Sequence, residues 1–331
     1  MATTAIIPLP NSKVPWSEDT WRAIHEVVND EIGKVQVSKF LPQHRVPPES
    51  TTAPSDTVLN PILAGEQLST LTIDEGATTR LNEIWTEFAL TPQQVHETAN
   101  AKVPHDTPAA TLARRAAQYL ALADDLVIFQ GNSGYQVPFF SQNVRHGMPP
   151  ADGGLLSLTG GPYLSPYPPI KVQPLGNPPS TGVQYGENTF TAVTQAISTL
   201  TSQGQPGPYA LVLNTTPYAD LFAAVGSGSL VVTADRIPPL ITAGMFGTST
   251  VPPSAGLLCS PAGSQRKPPQ GETYYGVLVS LGGNTVDVVV GLEATTQFLQ
   301  QDPNGLWRFR VIERFALRLK DVAAVQVLEF V

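Results

Sequence analysis

Residues 107–131 read TPAATLARRAAQYLALADDLVIFQG, and this stretch decides the fold. Thr107 before Pro108 is a helix opening. A Thr side chain accepts from an early backbone N–H, and Pro at the first helical position lacks a donor that would be orphaned there anyway. Leu112, Ala116, Tyr119, Leu120 and Ala123 recur at three- and four-residue spacing, which gives a long helix one apolar face. Asp124 and Asp125 follow, then the apolar run Leu126-Val127-Ile128-Phe129, then Gly131. Adjacent helical side chains point about 100° apart, so the two carboxylates do not share a site, and a structural role at the helix end is expected.

The pattern extends in both directions. Ser17 is an N-cap for a helix to Ile32 with Gly33 as its stop, and Trp21, Ile24, Val27, Val28 and Ile32 form its apolar stripe. Pro8, Pro10 and Pro15 make residues 1–15 an extended arm. Lys39-Phe40-Leu41 resembles a strand that leaves such a helix in a family of like sequences, named below. Residues 42–83 read as a long excursion that returns. A loop of that size is tolerable only where a neighbouring subunit completes its backbone hydrogen bonds. Glu83–Leu90 is a strand and Thr91-Pro92 opens a short helix. Glu187–Ser202 is a second helix, with Phe190, Val193, Ile197 and Leu200 on one face. Tyr209–Leu213 is a strand followed by a short helix at 217–224. Val277–Leu281 and Val286–Val290, joined by Gly282-Gly283-Asn284, form a hairpin, and Leu306–Leu319 and Val325–Phe330 supply the last strands.

These blocks together resemble the encapsulins, bacterial shell proteins with the HK97-type capsid fold. The residues 107–131 resemble that family's spine helix, which ends in a similar acidic pair, apolar run and Gly. VPWSEDTWRAIHEVV (14–28) resembles its first helix. Asp74–Thr79 with Leu81–Phe88 resembles the returning arm of its extended loop. Gly207–Thr215 resembles its "GPY, apolar run, N-T" strand, Gly153–Ser157 a "GLLS" element, and Trp307–Phe330 the closing strands. The order of the blocks carries the specificity.

The resemblance implies an α+β fold in five parts. An N-terminal arm and helix span 1–41, an extended loop 42–83, a peripheral domain with the spine helix 84–160, an axial domain 161–285, and return strands of the peripheral domain 286–331. The chain departs from the family by being short between Phe222 and Leu230 and long between Arg236 and Tyr274. The expectation is that an insert at about 240–272 decorates the axial domain and reshapes the five-fold opening, beside a pore region at Gly226, Ser227 and Gly228. The resemblance further implies a shell of 60 copies or a multiple of that, and a cargo protein held by a short targeting peptide. The candidate groove residues are Trp21, Ile24, Ile32, Phe40 and Leu41, with Trp21 and Ile24 expected in the core and the others nearer the cargo. Cargo of peroxidase or ferritin-like type, and a cytoplasmic location, are implied by resemblance only. The rival reading is a phage or prophage major capsid protein.

Composition agrees with a wall rather than a catalyst. The chain has 331 residues, 41% hydrophobic but only 14% charged, where about a quarter is usual. Low charge on a large chain suits a surface covered by other copies. A net charge of −8 argues against packaging nucleic acid, which calls for Lys and Arg. Arg114-Arg115 is expected on the polar face of its helix. Cys259 is the sole cysteine, which excludes an internal disulfide. The first residues show no basic segment followed by an apolar core, and no run is apolar enough to span a bilayer.

No catalytic motif emerges, and neither enzyme activity nor a cofactor or metal is expected. His25, His44, His96, His105 and His146 lack paired ligand spacing; His96 and His105 alone flank one loop. Gly131-Asn132-Ser133-Gly134 is not a nucleophile elbow, and Gly226-Ser227-Gly228-Ser229 lacks the Lys of a phosphate loop. Glu313-Arg314 lies on a strand and could pair across a subunit interface.

Overall fold

The computed structural model describes residues 13–59, 72–147, 153–156, 168–176, 184–223, 232–252 and 273–331. The expectations for Gly226, Ser227, Gly228 and Cys259 fall outside these residues.

The first half runs α1 (Glu18–Val35), β1 (Gln43–Arg45), β2 (Thr52–Pro54), β3 (Val58–Leu59), β4 (Thr72–Ile73), β5 (Thr78–Arg80), β6 (Asn82–Leu90), α2 (Pro92–Ala99), α3 (Pro108–Gln130), α4 (Pro138–Asn143) and β7 (Arg145–His146). The second half runs β8 (Ile170–Val172), α5 (Glu187–Ser202), β9 (Tyr209–Asn214), α6 (Thr215–Asp220), α7 (Thr233–Arg236), β10 (Gly244–Thr248), β11 (Tyr274–Ser280), β12 (Val286–Gln301), β13 (Trp307–Leu319) and β14 (Val325–Phe330). One five-stranded sheet has the order β1-β12-β13-β6-β7, and a second has the order β10-β9-β11-β14-β8.

The caps fall where the sequence places them. Thr20 N–H donates to Ser17 Oγ at 3.1 Å, and Ala110 N–H to Thr107 Oγ1 at 3.2 Å. Thr91 and Gln94 form a reciprocal capping box that starts α2. The spine helix α3 is buried on more than the single stripe expected: Ala109, Ala113, Ala117, Ala121 and Leu126 are buried as well as Ala116 and Leu120. A helix apolar most of the way round is a core helix. Its last turn is capped by another strand of chain, with Leu155 N–H donating to Ile128 O at 2.9 Å and Leu156 N–H to Phe129 O at 2.8 Å. That approach demands glycine. Gly131 sits at φ +57°, and a Cβ on it would lie 2.3 Å from the Gly154 nitrogen.

The first core packs α1 and α3 on the first sheet. Trp16 stacks on Phe309 at 4.8 Å between ring centroids, and Phe88 on Phe309 at 5.4 Å. The second sheet is buried on both faces, so β9 reads as a continuous apolar run. Leu211, Leu213 and Leu278 pack with α5, whereas Val212, Val277 and Val279 join the core around α3.

Several expectations are corrected. Gly33 does not stop α1, which continues to Val35 and is capped by Gln36. The end is set instead by Asp125, whose carboxylate accepts Val37 N–H and Ser38 N–H at 2.9 Å each. Ser38–Phe40 is then a 3-10 turn rather than a strand. The 277–290 hairpin does not form. Leu281 N–H donates to Pro208 O at 2.9 Å, while Thr285 O accepts Lys320 N–H at 2.8 Å, so the Gly282–Asn284 turn carries the chain from the second sheet to the first. The last strand, β14, pairs with β11 and β8 in the second sheet rather than closing the first. The start of the anticipated insert is a sheet strand: β10 pairs parallel with β9, and Asn214 Nδ2 donates to Val251 O at 2.7 Å. Residues 253–272 lie outside the described residues.

The extended loop supplies its own partners at its root. Thr52 pairs with Arg80 and Val58 with Ile73, without a neighbour's help. Its arms are fastened to the outer face of β13. Arg314 donates to Glu83 at 2.6 Å and to Pro48 O at 3.0 Å. Arg318 holds Asp287 and Pro54 O, and pairs with Asp56. Glu313-Arg314 is therefore not a free interface pair: Arg314 is used within the chain, and Glu313 faces the opposite way, into the core.

Candidate functional site

A cavity of about 290 Å³ lies between α1 and the first sheet. One helical face supplies Asn29, Ile32 and Gln36, at the spacing of one to two turns. Alternate positions on β12 supply Val288, Val290, Leu292 and Ala294, and on β13 they supply Glu313 and Phe315. Gln43 of β1, Glu293 of β12 and Asp124 of α3 complete the wall. The register between β12 and β13 shifts between Leu292 and Thr295, opposite Glu313. Such bulges re-aim side chains.

The groove is apolar along its sides and acidic at its floor. Asp124 is 1% exposed and Glu313 8%. Burial raises the pKa of Asp124 well above the carboxylate range, and the neighbouring Glu313 and Asp125 raise it further. Glu313 is raised too, chiefly by burial. The two carboxyls line the same cavity wall, and each raises the cost of ionising the other. Asp124 Oδ2 accepts from Gln36 Nε2 at 3.2 Å. Asp125 points away, to Val37 and Ser38, as the spacing of adjacent helical residues requires.

The sequence-predicted groove residues divide. Ile32 lines the cavity. Ile24 and Leu41 are core residues, 0% and 2% exposed, so Leu41 is not available at the surface of the folded chain. Phe40 stacks on Phe246 at 5.4 Å and bridges α1's exit to the second sheet. Trp21 is half-buried beside Trp16 at 4.7 Å. The Asp124–Glu313 pair was not anticipated. The available signal was an acidic residue at an inward position of β13, between Val311 and Phe315.

His96 bonds to Asn100, and His105 lies 3.9 Å from Glu26, so the structure does not bring the two together in one ligand set. Among the described residues no group of three or more His, Cys, Asp or Glu side chains is placed to hold a metal ion. No helix among them is long and apolar enough to cross a membrane. Arg114 approaches Glu31 at 3.9 Å and Arg115 lies over the Tyr119 ring at 4.7 Å, on the outer side of α3.

The sequence profile of the family described as "Encapsulating protein for peroxidase" matches residues 172–266. The fold matches a virus-like particle from Pyrococcus furiosus with a TM-score of 0.58 at 14% identity, over 94% of this chain and 100% of that one. It also matches the holo-SrpI encapsulin complex from Synechococcus elongatus, with a TM-score of 0.51 at 12% identity over 88% and 86% of the two chains. The capsid of the myovirus phage XM1 scores 0.52 at 10% identity over 88% and 90%. The chain has the capsid-like fold that encapsulin and phage shells share. That fold is the HK97-type capsid fold.

Proposed function

We propose that this chain is an encapsulin-type shell protein that closes icosahedrally, in on the order of sixty copies or a multiple, around a cargo protein held by a short targeting peptide. The cavity between α1 and the first sheet carries the reading. It has the apolar walls and open side of a peptide groove, with Ile32 on the helix face and Val290 and Leu292 opposite. Repeated on every subunit, a weak peptide contact gains avidity.

In this reading α1 to α3 with the first sheet form the peripheral domain, facing cargo with the groove. The second sheet with α5 forms the axial domain near the symmetry axes. Exposed apolar side chains at Ile73 on the extended loop, Phe222 and Leu299, at 55%, 52% and 37%, support burial against other copies. A cytoplasmic shell with no catalysis of its own, holding an oxidative enzyme, completes the proposal. Peroxidase is favoured as cargo over a ferritin-like oxidase by the family's description.

Mass spectrometry of natively purified particles tests it. A co-purifying enzyme bearing a short terminal extension is expected. Particles filled with double-stranded DNA would instead support a phage capsid.

A further inference from the structure

The last turn of α1 is weak in itself and is fastened by groups that change charge. Gly33 lies inside the helix with open space around it, one turn before the helix ends. Glycine in a helix interior loosens it, because the backbone there is freer and less covered. Three fastenings oppose that weakness. Gln36 Nε2 donates to Asp124 Oδ2 at 3.2 Å. Val37 N–H and Ser38 N–H donate to the Asp125 carboxylate at 2.9 Å each. Lys39 Nζ donates back to Gly33 O at 2.6 Å. The exit of α1 therefore hangs on two consecutive acids of the spine helix.

Glu313 of β13 presses on the same point from the sheet. It and Asp124 are buried and line one cavity together with Gln36, and no basic side chain lines that cavity. The charged and titratable groups around the acids leave them uncompensated. On β12, Glu293 is already paired with Arg45 of β1. On α3, Asp125 adds a further negative charge, answered in part by Lys39. In the turn after α3, Tyr135 is neutral, its hydroxyl pushed up by burial and by Asp124. Arg314, next along β13, faces the other side of the sheet, where Glu83 holds it at 2.6 Å. Ionising both Asp124 and Glu313 thus costs two desolvations and a repulsion, which the cavity relieves by opening to water.

We propose that residues 33–38, the end of α1, are a pH-sensitive flap, closed while at least one of Asp124 and Glu313 is protonated and swung open about Gly33 when both are ionised. The flap works whatever the cavity binds, so it does not rest on the cargo reading. Burial fixes the direction of the response. Glu313 is pushed up to about 7 and Asp125 to about 6, and Asp124 is raised as well. The closed form keeps protons that the open form gives up to water. Opening therefore becomes easier as pH rises from the ordinary carboxylate range through neutrality, by about tenfold per pH unit for each such proton.

Hydrogen exchange on natively purified protein tests it, with protection corrected for the intrinsic pH dependence of amide exchange. Between pH 5.5 and 7.5, protection of the 34–38 amides should fall by roughly tenfold or more, while the β9 amides keep theirs. In Glu313→Gln, which puts a neutral side chain of like size in the cavity, the fall should shrink to less than about threefold. Gly33→Ala touches neither acid; it should lower opening about fivefold at pH 7.5 with the pH dependence kept. Protection at 34–38 that does not change with pH in the native protein would overturn the proposal without any variant. So would a loss shared equally by 34–38 and β9, which is global loosening, or an equal fall in native protein and Glu313→Gln. Should Glu313→Gln fail to fold, Asp124→Asn takes its place with the same expected and contrary results.

Discussion

Arg318 and Asp287 meet in two parallel hydrogen bonds of 2.8 and 2.7 Å, with side chains 4% and 3% exposed. Lys320 Nζ lies 2.8 Å from the same carboxylate. Burial alone would raise the Asp287 pKa, yet the hydrogen bonds from Arg318 and Lys320 prevail and hold it below its ordinary value. The pair matters because Arg318 also grips Pro54 O and Asp56, at the root of the extended loop. The sheet's charge network thus ties residues 54–56 to β13.

Arg318→Leu should therefore strip the loop root while leaving an under-compensated buried carboxylate. A loss of about 3 kcal/mol is expected, the lower end for a broken buried pair because Lys320 remains. Hydrogen exchange checks it. The Val58 N–H, which donates to Lys320 O at 2.9 Å, should lose protection before the amides of β9 do.

Two glycines should respond in opposite ways. Gly154→Ala would place a Cβ 2.4 Å from the Gly131 nitrogen and 2.6 Å from Phe129 O, backbone atoms that cannot yield. Insoluble or unassembled protein is expected. Gly33 lies inside α1 with open space around it. Gly33→Ala should stabilise by about 1 kcal/mol, read as a higher thermal midpoint of the shell.

The buried carboxyls make stability depend on pH in an unusual direction. Burial pushes Asp125 up to about 6, against its backbone hydrogen bonds, and raises Asp124 and Glu313. Between the ordinary carboxylate value and the raised one, the folded chain holds protons that the unfolded chain has lost. Stability from these groups therefore falls as pH rises through that window. The groups that face the Asp124–Glu313 pair or Asp125 are Gln36, Tyr135 and Lys39. His25, depressed by burial, acts in the opposite direction, so the difference from a variant is the clean readout. Glu313→Gln mimics the protonated acid. It should leave the midpoint nearly unchanged at pH 5 and raise it at pH 8, on the scale of ~1–3 kcal/mol. An equal effect at both pH values would contradict the assignment.

Ile32 and Phe40 separate groove from scaffold. Ile32→Asp puts a charge on the wall of the cavity and should cut cargo per shell severalfold with particles intact. Phe40→Ala removes the stack on Phe246 and should lower stability by roughly 2 kcal/mol with loading per shell unchanged. Cargo-to-shell ratios by densitometry distinguish the two.

The caps at Ser17, Thr91 and Thr107, and the helices they open, were legible because local chemistry dictates them. The strand 82–90 and the closing strands were legible from composition and order. What escaped was partnership. The Gly282–Asn284 turn is obvious as a turn, yet nothing local says that β11 and β12 belong to different sheets. Gly33 looks like a stop, but the side chain that ends α1 is Asp125, far along the chain. Asp124 and Glu313 meet only because α3 lies across β13, so their proximity could not be read from either neighbourhood alone.

Electron microscopy of natively purified, dilute protein, paired with sedimentation, tests the central claim most directly. The account predicts closed hollow particles of uniform diameter, with no appreciable pool of free subunit. A stable lone chain of 35.3 kDa that forms no cages at any concentration would contradict it.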